Sequence, residues 1–287
     1  MLANPVAFKI GSVAIYWYGI IITAAILCAT VFAILELKRR KQNMDDILTL
    51  FLWIVPLGII FARVAYVLFH VSDFFPWHSW GDLWKCINIR EGGISILGAI
   101  PGGALGAFLC YRTSKSCRRT PIGDTLDVVA SAVLLGQGLG RWGNYVNQEL
   151  YGELITDPKQ QWFPWAVQIE AEGNQWFQAT FFYEMVLNLI GFAFMAVLVR
   201  KSKKRWLCVF VYIAWYTACR AVMESIRSDA VSIGSVKIGV LGCALISAVS
   251  AILAFLVWRG FIPTGTPKYL APDPIEPDDL PDEPQVA

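Results

Sequence analysis

Apolar residues along this chain fall in continuous blocks of helical length rather than alternating with polar ones, and short polar or glycine-rich breaks separate the blocks. Seven blocks stand out, over residues 14–36, 47–70, 94–111, 122–140, 180–199, 206–226 and 238–258. A helix needs roughly 20 residues to cross a hydrocarbon core about 30 Å thick. Spans one and seven, "YWYGIIITAAILCATVFAILEL" and "IGVLGCALISAVSAILAFLVW", are uninterrupted, whereas glycine, proline and aspartate break spans three and four. A membrane barrel would instead show segments of about ten residues with alternating hydrophobicity. The pattern therefore predicts an all-α polytopic membrane protein with about seven transmembrane helices, residues 1–259 forming one domain without internal repeat.

Two longer polar stretches interrupt the blocks, 71–93 with three tryptophans and 141–179 with four. Tryptophan favours the headgroup level, so both are expected to lie on the outer interface as short helices or loops. From Gly260 to the end, 260–287, the chain is rich in Pro, Asp and Glu and is expected to be a disordered cytoplasmic tail.

Composition agrees with a membrane protein: 56% hydrophobic, 16% charged, mean hydropathy +0.52. The net charge of +2 matters less than where the basic residues fall. "KRRK" (38–41), "RTSKSCRR" (112–119) and "RKSKKR" (200–205) hold 13 of the 24 lysines and arginines. By the positive-inside rule those loops face the cytoplasm, with the N-terminus outside and the C-terminus inside. Span one is too long for a cleavable signal and is expected to be retained. Seven scattered cysteines support neither a zinc site nor a disulfide framework. No metal, cofactor or nucleic-acid partner is expected.

Ionisable groups inside spans are costly unless paired or facing a wet cavity, so each is a functional candidate. Here they are Arg63, Arg141, Glu149, Glu184, Arg220, Glu224 and Arg227. Counting from the cytoplasmic edge of span six, Arg220 lies roughly 21 Å into a core of about 30 Å. Arg63 comes out at a similar depth, Arg141 closes span four at the outer boundary, and Glu184 opens span five there. Tyr18 and "EGGISILG" (91–98) belong to the same layer. A single polar pocket toward the outer leaflet is expected, with no comparable cluster in the inner half. Blander readings stand beside this one: Arg220, Glu224 and Arg227 could neutralise one another along one helix, and Arg141 could be an interfacial anchor. "GLGRWG" has GxGxxG spacing, but it ends a membrane helix instead of following a strand, which argues against a dinucleotide site. Gly98, Gly102 and Gly106 have the GxxxG spacing of close helix packing.

"GRWGNYVNQELYGE" (140–153) resembles the signature of the phosphatidylglycerol–prolipoprotein diacylglyceryl transferase family of bacterial membrane enzymes. The likeness extends to "WYG" (17–19), "RVAYVLF" (63–69), "EGGISILG", "FFYE" (181–184) and "YTACRAVMESIRSD" (216–229). It implies transfer of the diacylglyceryl group of phosphatidylglycerol to the lipobox cysteine sulfur of a preprolipoprotein. A thioether would form and glycerol phosphate would leave, at the outer face of the bacterial plasma membrane. The partners it implies are phosphatidylglycerol, the lipobox peptide and the lipid bilayer. Arg141 and then Arg220 would hold the headgroup, since an arginine fork suits phosphate oxygens. Asn144 and Asn147 would orient headgroup or backbone, Glu149 would position an arginine or act as base, Tyr18 and Tyr216 would donate hydrogen bonds, and Gly152 would leave room beside the headgroup. Glu184 and Glu224 join them as substrate-site residues.

Two positions depart from the family pattern. Leu97 stands where many members have histidine, and Phe177-Gln178-Ala179-Thr180 where many have a His-Pro pair; His70 and His78 are expected to be interfacial. The base is thus open among Glu149, a tyrosine and activation by the positive field alone. Readings from other classes are a small-anion transporter, which would also use broken helices and buried arginines, and a noncatalytic lipid-binding relative.

Overall fold

The computed structural model describes residues 6–11, 13–41, 44–75, 80–89, 93–114, 121–226, 232–233 and 236–267. Arg227, His78 and the tail beyond 267 lie outside the described residues. The long helices are α1 (Trp17–Arg39), α2 (Met44–Phe69), α5 (Ile96–Thr113), α6 (Ile122–Asn147), α7 (Thr180–Lys201), α8 (Leu207–Ile226) and α9 (Ile238–Arg259), with short helices α3 (Val71–Phe74) and α4 (Trp80–Ile87) between α2 and α5. Among the described residues, six are long and apolar enough to cross a membrane: α1, α2, α6, α7, α8 and α9. The expected third span does form a helix, α5, but with Pro101 inside it and outside that set of six.

Strands were not expected, yet three antiparallel hairpins form: β1 (Val6–Ile10) with β2 (Val13–Tyr16), β3 (Ala166–Ile169) with β4 (Gln175–Gln178), and β5 (Ser232–Ile233) with β6 (Val236–Lys237). The middle one corrects the expectation of helices or loops over 141–179. Its cause is local: Gly173 and Asn174 take left-handed φ values of 68° and 62° and reverse the chain. Val167 and Ile169 then point inward onto Trp142 and Tyr145 at the end of α6.

The most enclosed helix is α6: 56% of its apolar window is buried, against 11–28% in the other five candidate spans. It packs on α1, α7 and α8 around Leu37, Val128, Leu134, Met195 and Cys208. Beside it, α2 and α5 pack backbone to backbone. A Cβ on Gly98 would fall 2.1 Å from the carbonyl oxygen of Phe61, and one on Gly106 2.5 Å from that of Trp53. The glycine spacing at 98, 102 and 106 therefore works as helix packing.

The end of the bundle away from Arg141 was expected to lack a polar cluster, and that expectation is overturned. Glu36 is buried and takes Arg39 at 2.5 Å, Arg200 at 3.2 Å and Arg40 at 3.5 Å. Asp124 pairs with Arg205 at 2.8 Å, and Asp127 accepts the backbone N–H groups of Trp206 (2.9 Å) and Val209 (3.0 Å), capping α8 from another helix. These side chains belong to helix ends, where they read as flanking charges until packing buries them. Cys110 is disulfide-bonded, where the sequence supported no disulfide framework. A lone cross-link need not carry the spacing of a framework.

Candidate functional site

The signature occupies the last two turns of α6 and the turn after it. Gln148 and Leu150 take left-handed φ values of 51° and 58°, so the chain doubles back over its own helix end. The Glu149 N–H reaches the carbonyl of Asn144 at 3.0 Å. That return lets the Glu149 carboxylate accept from the side-chain amides of Asn144 (3.0 Å) and Asn147 (3.4 Å). The segment that follows is anchored as well: the Thr180 hydroxyl donates to the Leu150 carbonyl, that of Tyr183 to Trp165, and Gln148 accepts from the N–H of Glu170 at 2.8 Å.

Between α1, α2 and α6 lies a cavity of about 480 Å³. Tyr18, Arg141 and Asn144 form its polar end, and the lining beyond is mostly apolar, including Ala25, Phe51, Ile54 and Val129. From Asn144 to Val129 the lining follows α6 for about 22 Å. That exceeds one leaflet, about half of a 30 Å core. The Tyr18 ring packs close against α6 because Gly143 has no side chain; a Cβ there would come within 2.8 Å of Tyr18 Cδ2.

Behind the polar end, charges from three helices join. Arg141 of α6 pairs through Nη2 with Glu184 of α7, their side chains 15% and 8% exposed. Arg220 of α8 is 3.5 Å from the other Glu184 oxygen and 2.8 Å from Glu224. The i,i+4 pairing of Arg220 with Glu224 is thus real but partial, since Glu184 bridges both arginines. Arg141 is no simple interfacial anchor: only Nη2 is engaged among the described residues, leaving Nε and Nη1 as donors.

The structure therefore brings together Tyr18, Arg141, Asn144, Asn147 and Glu149 at the cavity end, with Glu184, Arg220 and Glu224 behind them. Other candidates lie elsewhere. Gly152 is buried against Gln178 and Thr180, and its N–H donates to the Gln178 carbonyl at 3.0 Å, a close approach of two backbones. Tyr216 stacks on Tyr212 with ring centroids 6.0 Å apart. Arg63 donates to the carbonyls of Lys85, Cys86 and Gly93 at 2.5–2.8 Å, tying the end of α4 to α2. Leu97 is 65% exposed on α5 and does not line the cavity. A residue not singled out from the sequence, Gln137, does line it and donates to the Tyr212 hydroxyl at 3.1 Å. Its signal was a neutral amide inside a span, one turn before Arg141.

Comparison with known proteins gives a consistent result. Residues 5–258 match the family model described as prolipoprotein diacylglyceryl transferase. The chain is 35% identical over 257 residues to phosphatidylglycerol–prolipoprotein diacylglyceryl transferase 1 of Clostridium perfringens, covering 88% of this chain and 94% of that protein. It is 33% identical over 253 residues to the phosphatidylglycerol–prolipoprotein diacylglyceryl transferase of Clostridium botulinum (strain Langeland), covering 88% and 94%. Against the enzyme of that name from Limosilactobacillus reuteri it is 34% identical over 263 residues, covering 89% and 91%.

Proposed function

The chain belongs to the prolipoprotein diacylglyceryl transferase family, and from that premise we propose that the Arg141 end of the cavity holds the phosphatidylglycerol headgroup while its apolar length takes an acyl chain. The reaction moves the diacylglyceryl group of phosphatidylglycerol to the lipobox cysteine of a preprolipoprotein. A sulfur–carbon bond forms, the bond from glyceryl carbon to phosphate oxygen breaks, and glycerol phosphate leaves. The observation that carries the assignment is one arginine at the polar end of a mostly apolar cavity, with Nε and Nη1 not engaged among the described residues.

Each neighbour then has a task. Arg141 holds the phosphodiester and, with Arg220, stabilises the charge that grows on the departing phosphate. Glu184 fixes the two guanidiniums relative to each other, and Glu224 steadies Arg220. The same cationic field favours thiolate over thiol. Asn144 and Asn147 hold Glu149; Tyr18, which lines the cavity, and Glu149, held beside it by Asn144, are the groups that can take or hold the thiol proton. Gly152 and Tyr216 support this end of the bundle from behind. An anion transporter is not favoured, because a transported anion has no use for so long an apolar wall.

The test is transfer itself. Purified protein given phosphatidylglycerol and a lipobox peptide with one cysteine should add one diacylglyceryl unit, read by mass spectrometry, and add nothing when that cysteine is serine. No adduct from folded protein would leave a noncatalytic lipid-binding relative as the better reading.

For the membrane arrangement, we read α5 as a seventh crossing packed along α2, with the N-terminus outside and the site opening to the outer face of the bacterial inner membrane. The basic residues clustered at 38–41, 112–119 and 200–205 support that orientation. A phosphatase reporter that works only outside the cytoplasm should be inactive when fused after Arg259 and active when inserted between Gln160 and Gln161. The reverse pattern would invert the topology.

A further inference from the structure

We propose that Gln137 recognises an ester carbonyl of the phospholipid's diacylglyceryl group and so selects ester-linked over ether-linked lipid; this rests on the headgroup lying at Arg141. Gln137 precedes Arg141 by four residues on α6. It therefore shares that face of the helix, about 6 Å further from the polar end. Both line the cavity, and the wall around Gln137 is Ala25, Ala29, Val133 and Gly136, which offer no side-chain hydrogen bond. Thr30, the other neutral polar side chain below the polar end, can turn its hydroxyl to its own helix backbone. A glutamine amide has no such local outlet.

The amide is half satisfied. Its Nε2 donates to the Tyr212 hydroxyl at 3.1 Å, while the buried Oε1 has no partner among the described residues. Tyrosine hydroxyl both donates and accepts, and the two ends of an amide have nearly the same shape. Tyr212 can therefore satisfy either end, and one end is always left over. As observed, Nε2 spends one of its two N–H groups on Tyr212 and keeps the second as a donor. In a phospholipid the ester carbonyls, acceptors only, follow the phosphate by a few bonds and enter the apolar layer just beneath it. A donor one turn below a phosphate-binding arginine meets that need, in surroundings where an unpaired polar group is costly.

The experiment compares phosphatidylglycerol with its dialkyl ether analogue, which keeps headgroup and chains but lacks both carbonyls. The full chain in detergent, with lipobox peptide, is assayed for KM and kcat on each lipid. Wild type should show a KM for the diester about five- to tenfold below that for the diether, the worth of one neutral hydrogen bond. Gln137→Met, of similar length, should raise KM for the diester by that factor and erase the difference between the lipids. Should that variant not fold, Tyr212→Phe, which frees the amide from its anchor, should narrow the difference, and wild-type discrimination alone still decides. Equal KM values for wild type, or a Gln137→Met effect equal on both lipids, would overturn the ester contact and leave Gln137 a packing residue. Arg141→Lys separates the two layers of the argument. It should raise KM for both lipids alike, and no change on either would overturn the headgroup placement and this proposal with it.

Discussion

Arg141→Ala should lower the rate of diacylglyceryl transfer by about 10²–10³-fold, the usual consequence of removing one preorganised charge-stabilising donor. The reason lies in how the guanidinium is held. Glu184 fixes Nη2 from α7, so Nε and Nη1 are oriented before lipid arrives and need not be reorganised as charge moves to the leaving phosphate. The stability cost should be smaller than for most buried ion pairs, because Glu184 keeps Arg220 at 3.5 Å as a second partner. Arg141→Lys retains the charge but not the fork and should recover only part of the rate. Initial rates by mass spectrometry, beside thermal melts of the same preparations, separate loss of chemistry from loss of fold. A near-normal rate for Arg141→Ala would falsify the headgroup assignment.

The contrast between what was and was not legible in the sequence follows from what periodicity can report. Spans such as α1 and α9 are visible because nothing interrupts them. The helix α5 is ambiguous because the glycines that let it approach α2 and Pro101 inside it also lower its apolar content. Arg141, Arg220 and Glu184 are conspicuous as charges in apolar surroundings. Spacing along one chain can pair Arg220 only with its own helix neighbour Glu224, however, and cannot show Glu184 bridging three helices. Gly152 misleads in the opposite way, since a glycine beside a signature suggests room for ligand, while here the side chains of Gln178 and Thr180 fill that space. The charges at the other end of the bundle were hidden by their double meaning: Arg40, Arg200 and Arg205 are counted for orientation, and Asp124 and Asp127 as breaks in an apolar run.

That second cluster carries the other large effect. Glu36→Ala should destabilise the protein by about 3–5 kcal/mol, the range for removing one partner of a buried ion pair, while leaving KM for lipid near its normal value. The Glu36 side chain is fully buried, and its three arginines differ in what they can do without it. Arg39 is 41% and Arg200 55% exposed, so both can turn to water. Arg40 is 3% exposed and held among the helices by the carbonyls of Val199 at 2.5 Å and Asp124 at 3.5 Å. The penalty therefore comes chiefly from the buried Arg40 guanidinium, which loses the Glu36 carboxylate and keeps only the weaker field of Asp127 beside its carbonyl contacts. Removing both, in Glu36→Leu with Arg40→Leu, should recover much of the loss, as apolar replacement of a whole buried pair commonly does. Thermal unfolding in detergent, with activity normalised to folded protein, measures the cycle. If Glu36→Ala instead left stability unchanged and raised KM, the cluster would be coupled to the lipid cavity, and the separation of a structural end from a chemical end of this bundle would fail.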